Sequence, residues 1–130
     1  MTKSDLINKA KAAANSAYAP YSNFCVGAAL LCNDGTLYTG CNIENAAYSV
    51  TCCGERTALF KAVSEGKRKF TDIAVVGGKS GDYSTVCTPC GVCRQALSEF
   101  CTGDMKIHLC DGEDIITYSL SELLPHSFSL

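Results

Sequence analysis

With 130 residues, 47% of them hydrophobic and 18% charged, the chain can bury one core and fits a single domain over residues 1–130. Its formal net charge of -2 supplies no basic field of the sort that holds nucleic acid, so a small, neutral or weakly charged ligand is the better expectation. Ten cysteines could suggest a disulfide scaffold, but such scaffolds are loop-rich with weak apolar cores, and this chain has a good one.

Met1 to Lys11 mixes polar and apolar residues without the apolar stretch of a signal peptide, and no run nears the roughly 18 apolar residues needed to span a bilayer. The cytoplasm is the expected compartment, with thiols reduced and used as small buried hydrophobes or metal ligands. Leu6, Ile7, Ala10, Ala13, Ala14 and Ala17 fall at helical spacing, predicting a helix over residues 4–17 capped by Ser4 and stopped near Pro20. After a loop over 18–23, the apolar run 24–32, the turn Asn33-Asp34-Gly35 and residues 36–41 read as a hairpin. Residues 53–65 form a second predicted helix ending at Gly66, and Lys67-Arg68-Lys69 behind it a solvated turn. A buried strand over 73–76, a helix over 91–100 and a strand over 106–110 follow. Residues 111–114 turn, 115–118 make a last strand, and 121–124 a short helix before Pro125. Hairpin first, then helices alternating with strands, predicts an α/β fold: a three-layer α/β/α sandwich around a mixed, roughly five-stranded sheet.

Two segments carry chemistry, Thr51-Cys52-Cys53-Gly54-Glu55-Arg56 and Thr88-Pro89-Cys90-Gly91-Val92-Cys93-Arg94-Gln95, and each sits where a helix begins. Free N–H groups and the positive end of the helix dipole lower the pKa of a thiol there, favouring the thiolates that a metal requires. Zinc accepts sulfur, and a catalytic zinc takes three protein ligands and leaves a fourth position open; Cys53, Cys90 and Cys93 supply three. Three thiolates load the site with negative charge, which Arg56 is placed to offset by donating to sulfur. Glu55, two residues beyond a ligand, can carry protons without binding the metal. A His or Cys ligand, any residue, Glu and then Pro-Cys-x-x-Cys is the general signature of zinc deaminases.

With these motifs, and with Ala19-Pro20-Tyr21-Ser22-Asn23-Phe24, Val26-Gly27-Ala28-Ala29, Gly40-Cys41-Asn42-Ile43-Glu44-Asn45-Ala46-Ala47-Tyr48-Ser49 and Glu122-Leu123-Leu124-Pro125, the chain resembles the small homotetrameric cytidine deaminases over nearly its whole length. The resemblance implies one zinc per chain and hydrolytic deamination of free cytidine or deoxycytidine. Glu55 would move the proton of an activated water to ring N3 and a second one to the departing ammonia. It further implies that Asn42 and Glu44 hold the ribose hydroxyls, that Phe24 lines the base pocket, and that Tyr48 and Phe128 reach the site from neighbouring subunits. The backbone N–H of residue 54 faces the pyrimidine carbonyl in that family, where the residue is usually Ala and here is Gly54.

Other readings of the same residues exist. Cys87, three before Cys90, could close a purely structural zinc site as a fourth thiolate. The substrate could be a cytosine-nucleoside antibiotic of the blasticidin type, or a polynucleotide cytosine, which the low basic charge disfavours. A cysteine–histidine hydrolase using His108 or His126 lacks a motif around any cysteine. Cys25, Cys32, Cys41, Cys52, Cys101 and Cys110 read as buried or edge thiols.

Overall fold

The computed structural model describes residues 1–130. Helix α1 (Lys3–Ala14) packs on one face of a five-stranded sheet, and helices α2 (Gly54–Ser64) and α3 (Gly91–Phe100) lie on the other. The strands are β1 (Phe24–Cys32), β2 (Leu37–Cys41), β3 (Phe70–Lys79), β4 (Lys106–Cys110) and β5 (Ile115–Ser119), in the spatial order β2-β1-β3-β4-β5. A four-residue helix α4 (Leu120–Leu123) follows β5. All pairings are antiparallel except β3 with β4, so the mixed sheet and the three layers agree with the sequence pattern.

Side-chain alternation divides the core in two. Ala28 and Leu30 of β1, Ile73 and Val75 of β3, and Ile107 and Leu109 of β4 point to the α2/α3 face, where they meet Ala58, Leu59, Ala62 and Leu97. Their neighbours Ala29, Ala74, Val76 and Cys110 point the other way, onto Leu6, Ile7 and Ala10 of α1. None of the helices is long and apolar enough to cross a membrane.

Several boundaries differ from those read in the sequence, each for a local reason. Thr2, rather than Ser4, caps α1, because Asp5 stands at the position that completes a reciprocal capping box with Thr2. The helix ends at Ala14, before Ala17, and the chain turns so that Tyr18 N–H bonds the Asn42 carbonyl at 3.0 Å. Strand β2 begins at Leu37, because Thr36 is held in the turn by Asp34. Strand β3 is longer than predicted at both ends. Ser119 caps α4 and Glu122 completes its box, drawing Leu120 into the helix. The turn itself is Glu65-Gly66; Lys67-Arg68-Lys69 is irregular chain leading to β3, with Lys67 paired to Asp34 and Arg68 donating to the carbonyls of Val63 and Lys67.

Topology brings the two motifs together. Short connections lead from α2 into β3 and from α3 into β4, so each helix runs opposite in direction to the strand after it; because β3 and β4 are parallel, both helices start at the same end of the strands. The β1 register puts Phe24 opposite Lys79 and Val26 opposite Gly77, and β2 ends there with Cys41 opposite Gly27. Gly40 lets β2 reach the first turn of α2: a Cβ at that position would lie 2.5 Å from the Ala58 nitrogen and 2.6 Å from the Gly54 oxygen.

Candidate active site

Cys53 is the N-cap of α2 and Cys90 the N-cap of α3, both with extended backbone. Cys93 sits one turn into α3, fully buried, and its N–H donates to Cys90 Sγ at 3.4 Å. The three sulfurs lie within 4.8 Å of one another, with Cys53 to Cys90 at 3.7 Å and Cys90 to Cys93 at 3.5 Å. Two thiolates on a tetrahedral zinc, each about 2.3 Å from it, stand about 3.8 Å apart, so this donor set fits that ion. Cys87 is outside the cluster, which leaves three sulfurs and not the four of a closed structural site.

Hydrogen bonds from Cys93, Arg56 and Cys90 outweigh burial and lower the Cys53 thiol to about 5. Cys93 is pushed up, first by sharing its proton with Cys53 and then by burial. One thiolate among shared protons is the form such a cluster takes before a divalent cation replaces those protons. Arg56 Nη2 donates to Cys53 Sγ at 3.5 Å, as its position predicted, and the guanidinium is held charged by that bond.

Glu55 is 3% exposed. Burial, then the nearby Cys53 charge, raises its carboxyl to about 7 against the opposing pull of a backbone bond. Two buried side-chain polar atoms lack partners, Glu55 Oε1 and Arg56 Nε, and both belong to this site. A cleft of about 210 Å³ opens over the cluster, lined in part by Val26, Asn42, Cys53, Glu55, Cys87 and Cys90. Gly54, the first residue of α2, is buried; a Cβ there would meet the Val26 oxygen at 3.3 Å and Cys41 at 3.4 Å, so an alanine would be tight but would meet no gross clash.

The remaining predicted residues divide. Asn42 is 8% exposed; its Oδ1 accepts from Val26 N–H and its Nδ2 donates to the Phe24 carbonyl, both at 2.8 Å, leaving the second amide proton and a lone pair at the cleft. Glu44 lines an adjoining cavity of about 390 Å³ with Tyr21, Ser22, Asn45, Tyr48 and Thr51. Thr51 borders both spaces. Tyr48 is 80% exposed and Phe128 is 70% exposed, and the chain does not bring Phe128 to its own cleft.

Two features escaped the sequence. Gly77 makes room for both Phe24 and Cys87: a Cβ there would lie 2.7 Å from the Phe24 ring and 2.7 Å from Cys87 Sγ. Cys87, considered above as a possible ligand, is a cleft wall whose thiol burial pushes up to about 11. Gly77 lies beyond the strand predicted over 73–76, and the spacing of Cys87 to Cys90 marked it as a candidate ligand and not as a wall. His108 and His126 take no part in the cleft; His108 bonds Thr117 and Asp72 on the opposite face of the sheet.

Comparison with known proteins fits this geometry. The family model described as the cytidine and deoxycytidylate deaminase zinc-binding region matches residues 1–109. The cytidine deaminase of Sporosarcina psychrophila is 54% identical over 125 residues, covering 95% of this chain and 89% of the relative. That of Halalkalibacterium halodurans is 49% identical over 130 residues, covering 99% and 96%. A crystal structure of the cytidine deaminase from Burkholderia pseudomallei superposes with a TM-score of 0.90 at 47% identity, covering 98% of this chain and 100% of that one. Motif, cluster geometry and fold thus converge, and the chain belongs to the cytidine and deoxycytidylate deaminase zinc-binding family.

Proposed function

We propose that the chain, as one catalytic domain, hydrolytically deaminates free cytidine and deoxycytidine to uridine and deoxyuridine with release of ammonia, a step of pyrimidine salvage in the cytoplasm. The observation that carries this is the buried Glu55, with Oε1 unpartnered, lining the same cleft as Cys53 and Cys90, whose sulfurs cluster with that of the buried Cys93 behind them. Cys53, Cys90 and Cys93 would hold the zinc, which when bound would lower the pKa of a water and supply Lewis acidity at the site. Glu55, poised near neutrality by burial, takes the proton of the attacking water and delivers it to ring N3. It then takes the proton of the new C4 hydroxyl and passes it to the amino group, so the C4–N bond breaks as ammonia departs and the C4–O bond becomes the carbonyl. Arg56 offsets the sulfur charge through Cys53.

Substrate is oriented by Asn42 and Glu44, which line the two adjoining cavities, and by Phe24 and Gly54, which adjoin lining residues Cys87 and Val26. Asn42 and Glu44 receive the ribose hydroxyls, Phe24 lies against the base, and the Gly54 N–H faces the pyrimidine carbonyl. A polynucleotide is not expected, since the chain carries 11 Lys and Arg against 13 Asp and Glu. Tyr48 and Phe128, large and exposed in one chain, are each given a partner by a homotetramer in which they complete neighbouring sites.

An absorbance assay on cytidine, run with zinc analysis, tests the activity: the expected result is conversion to uridine at about one zinc per chain. Protein that stays inert after zinc is restored contradicts it. Sedimentation tests the assembly, and a fully active monomer refutes the shared site.

A further inference from the structure

We propose that Ser22 is a positioning residue whose hydroxyl aims the Glu44 carboxylate at a ribose hydroxyl and fixes the start of β1 beside the base. This rests on the assignment of Glu44 to the ribose. The Ser22 hydroxyl donates to Glu44 Oε2 at 2.5 Å and accepts the Phe24 N–H at 3.0 Å. Its one proton is therefore committed to an acceptor-only partner, and its orientation is set. Asn23 between them has φ 58, a left-handed conformation that asparagine tolerates, and this turn carries Phe24 N–H back under the Ser22 oxygen.

The carboxylate is held asymmetrically. Oε1 accepts two N–H groups, from Tyr21 at 2.9 Å and Ser22 at 3.2 Å, whereas Oε2 accepts only the Ser22 hydroxyl. With about two acceptor sites per oxygen, Oε1 is full and Oε2 keeps one free. Both Ser22 and Glu44 border the cavity of about 390 Å³. Oε2 is thus the atom offered to a ligand hydroxyl, and Ser22 determines where it points. The Ser22 bond is also the largest influence holding the Glu44 carboxyl below its usual value, which keeps it an acceptor. Through Phe24 the same hydroxyl joins the ribose side to Asn42, whose amide donates to the Phe24 carbonyl. One small side chain links three groups assigned to the substrate.

The test is a double-mutant cycle on the zinc-loaded enzyme with Ser22→Ala, Ser22→Thr, Glu44→Gln and the pair S22A/E44Q, reading KM and kcat for cytidine. Ser22→Ala is expected to raise KM about tenfold with kcat within about twofold and zinc content unchanged, as loss of a hydrogen bond to a charged group implies. Ser22→Thr, which keeps the hydroxyl, is expected to restore most of the KM. In the Glu44→Gln background, where KM is already raised, Ser22→Ala should add less than about twofold, because its effect travels through Glu44. An unchanged KM in Ser22→Ala, or a full increment on top of Glu44→Gln, overturns this inference alone. A normal KM in Glu44→Gln itself overturns the ribose assignment, and this inference with it.

Discussion

His108 and Glu55 are each 3% exposed, on opposite faces of the same sheet. Both ring nitrogens of His108 have partners: Nδ1 lies 2.8 Å from Thr117 Oγ1 and Nε2 lies 2.7 Å from Asp72 Oδ2. These bonds tie β4 to β5 and β3 on the α1 face, where strand register places the three residues side by side. Glu55, by contrast, leaves one oxygen without any protein partner and faces a cleft. Burial is the same, and the partner inventory separates a structural polar group from one available to a ligand or a reacting water.

The largest effect that tests this contrast comes from the cluster beside Glu55. Cys90→Ala is expected to lose both zinc and deaminase activity, as measured by metal analysis and the absorbance assay; retained metal would show that Cys90 is only a cap. Next is Glu55→Gln, which should keep zinc while kcat falls by about a thousandfold or more, since proton transfer by a placed side chain contributes roughly 10²–10⁴. A variant keeping a tenth of the activity contradicts the role.

Glu55 also makes a stability prediction of defined sign. Its folded pKa of about 7 is above the ordinary carboxyl value, so its neutral form favours folding at low pH, and that contribution is lost as pH rises through about 7. Metal-free Glu55→Gln should therefore gain thermal stability over the metal-free parent at pH 8 and not at pH 4; equal differences at both would show that burial does not penalise the charged form.

On the other face the order of effects reverses. His108→Phe is expected to cost about 1–3 kcal/mol in urea unfolding, because the charged, partly buried Asp72 loses its imidazole partner, with kcat per folded molecule unchanged. Burial pushes the Asp72 carboxyl up, but hydrogen bonds from His108 and Thr71 outweigh it and hold the group below its usual value. Its contribution is present above the ordinary carboxylate range and lost as pH falls through the folded value, so the penalty of Asp72→Asn should shrink in acid. A fall in kcat for His108→Phe would abolish the distinction between the faces. The smallest effect belongs to Cys87→Ser, which lines the cleft without joining the cluster: zinc should remain and kinetics change by no more than a few fold, whereas loss of zinc would bring back the four-thiolate site.

What could be read from the sequence was local. Cys53 and Cys90 before helical runs, Glu55 two residues on and the x-x spacing to Cys93 determine where those groups lie once the helices form, and the hairpin and alternating strands determine the layers. The choice of Thr2 over Ser4 as cap was also local, but two residues of the same capping class competed and Asp5 decided between them. Ser22 and Glu44 are 22 residues apart and meet because an Ile43–Cys52 bridge and a Tyr18–Ile43 bridge pin the segment between β2 and α2 against the chain leading to β1. Gly77 matters only through Phe24 and Cys87, which arrive from two other segments. His108 could be placed in a strand, while its partners come from two neighbouring strands whose register no single segment encodes.

The lone parallel pairing, β3 with β4, also bears on how the chain reaches its folded form. Cys90 and Cys93 are neighbours as soon as one turn of α3 exists, but Cys53 joins them only after a strand, a crossover and a second strand have come into place. Pairings of that kind close long loops and form slowly compared with hairpins. An ion that needs all three sulfurs therefore binds the finished topology and adds its binding energy to that arrangement alone, with nothing comparable for a chain in which β4 has paired elsewhere. With zinc bound, the cysteines would act as a late lock on strand order, before any substrate is met.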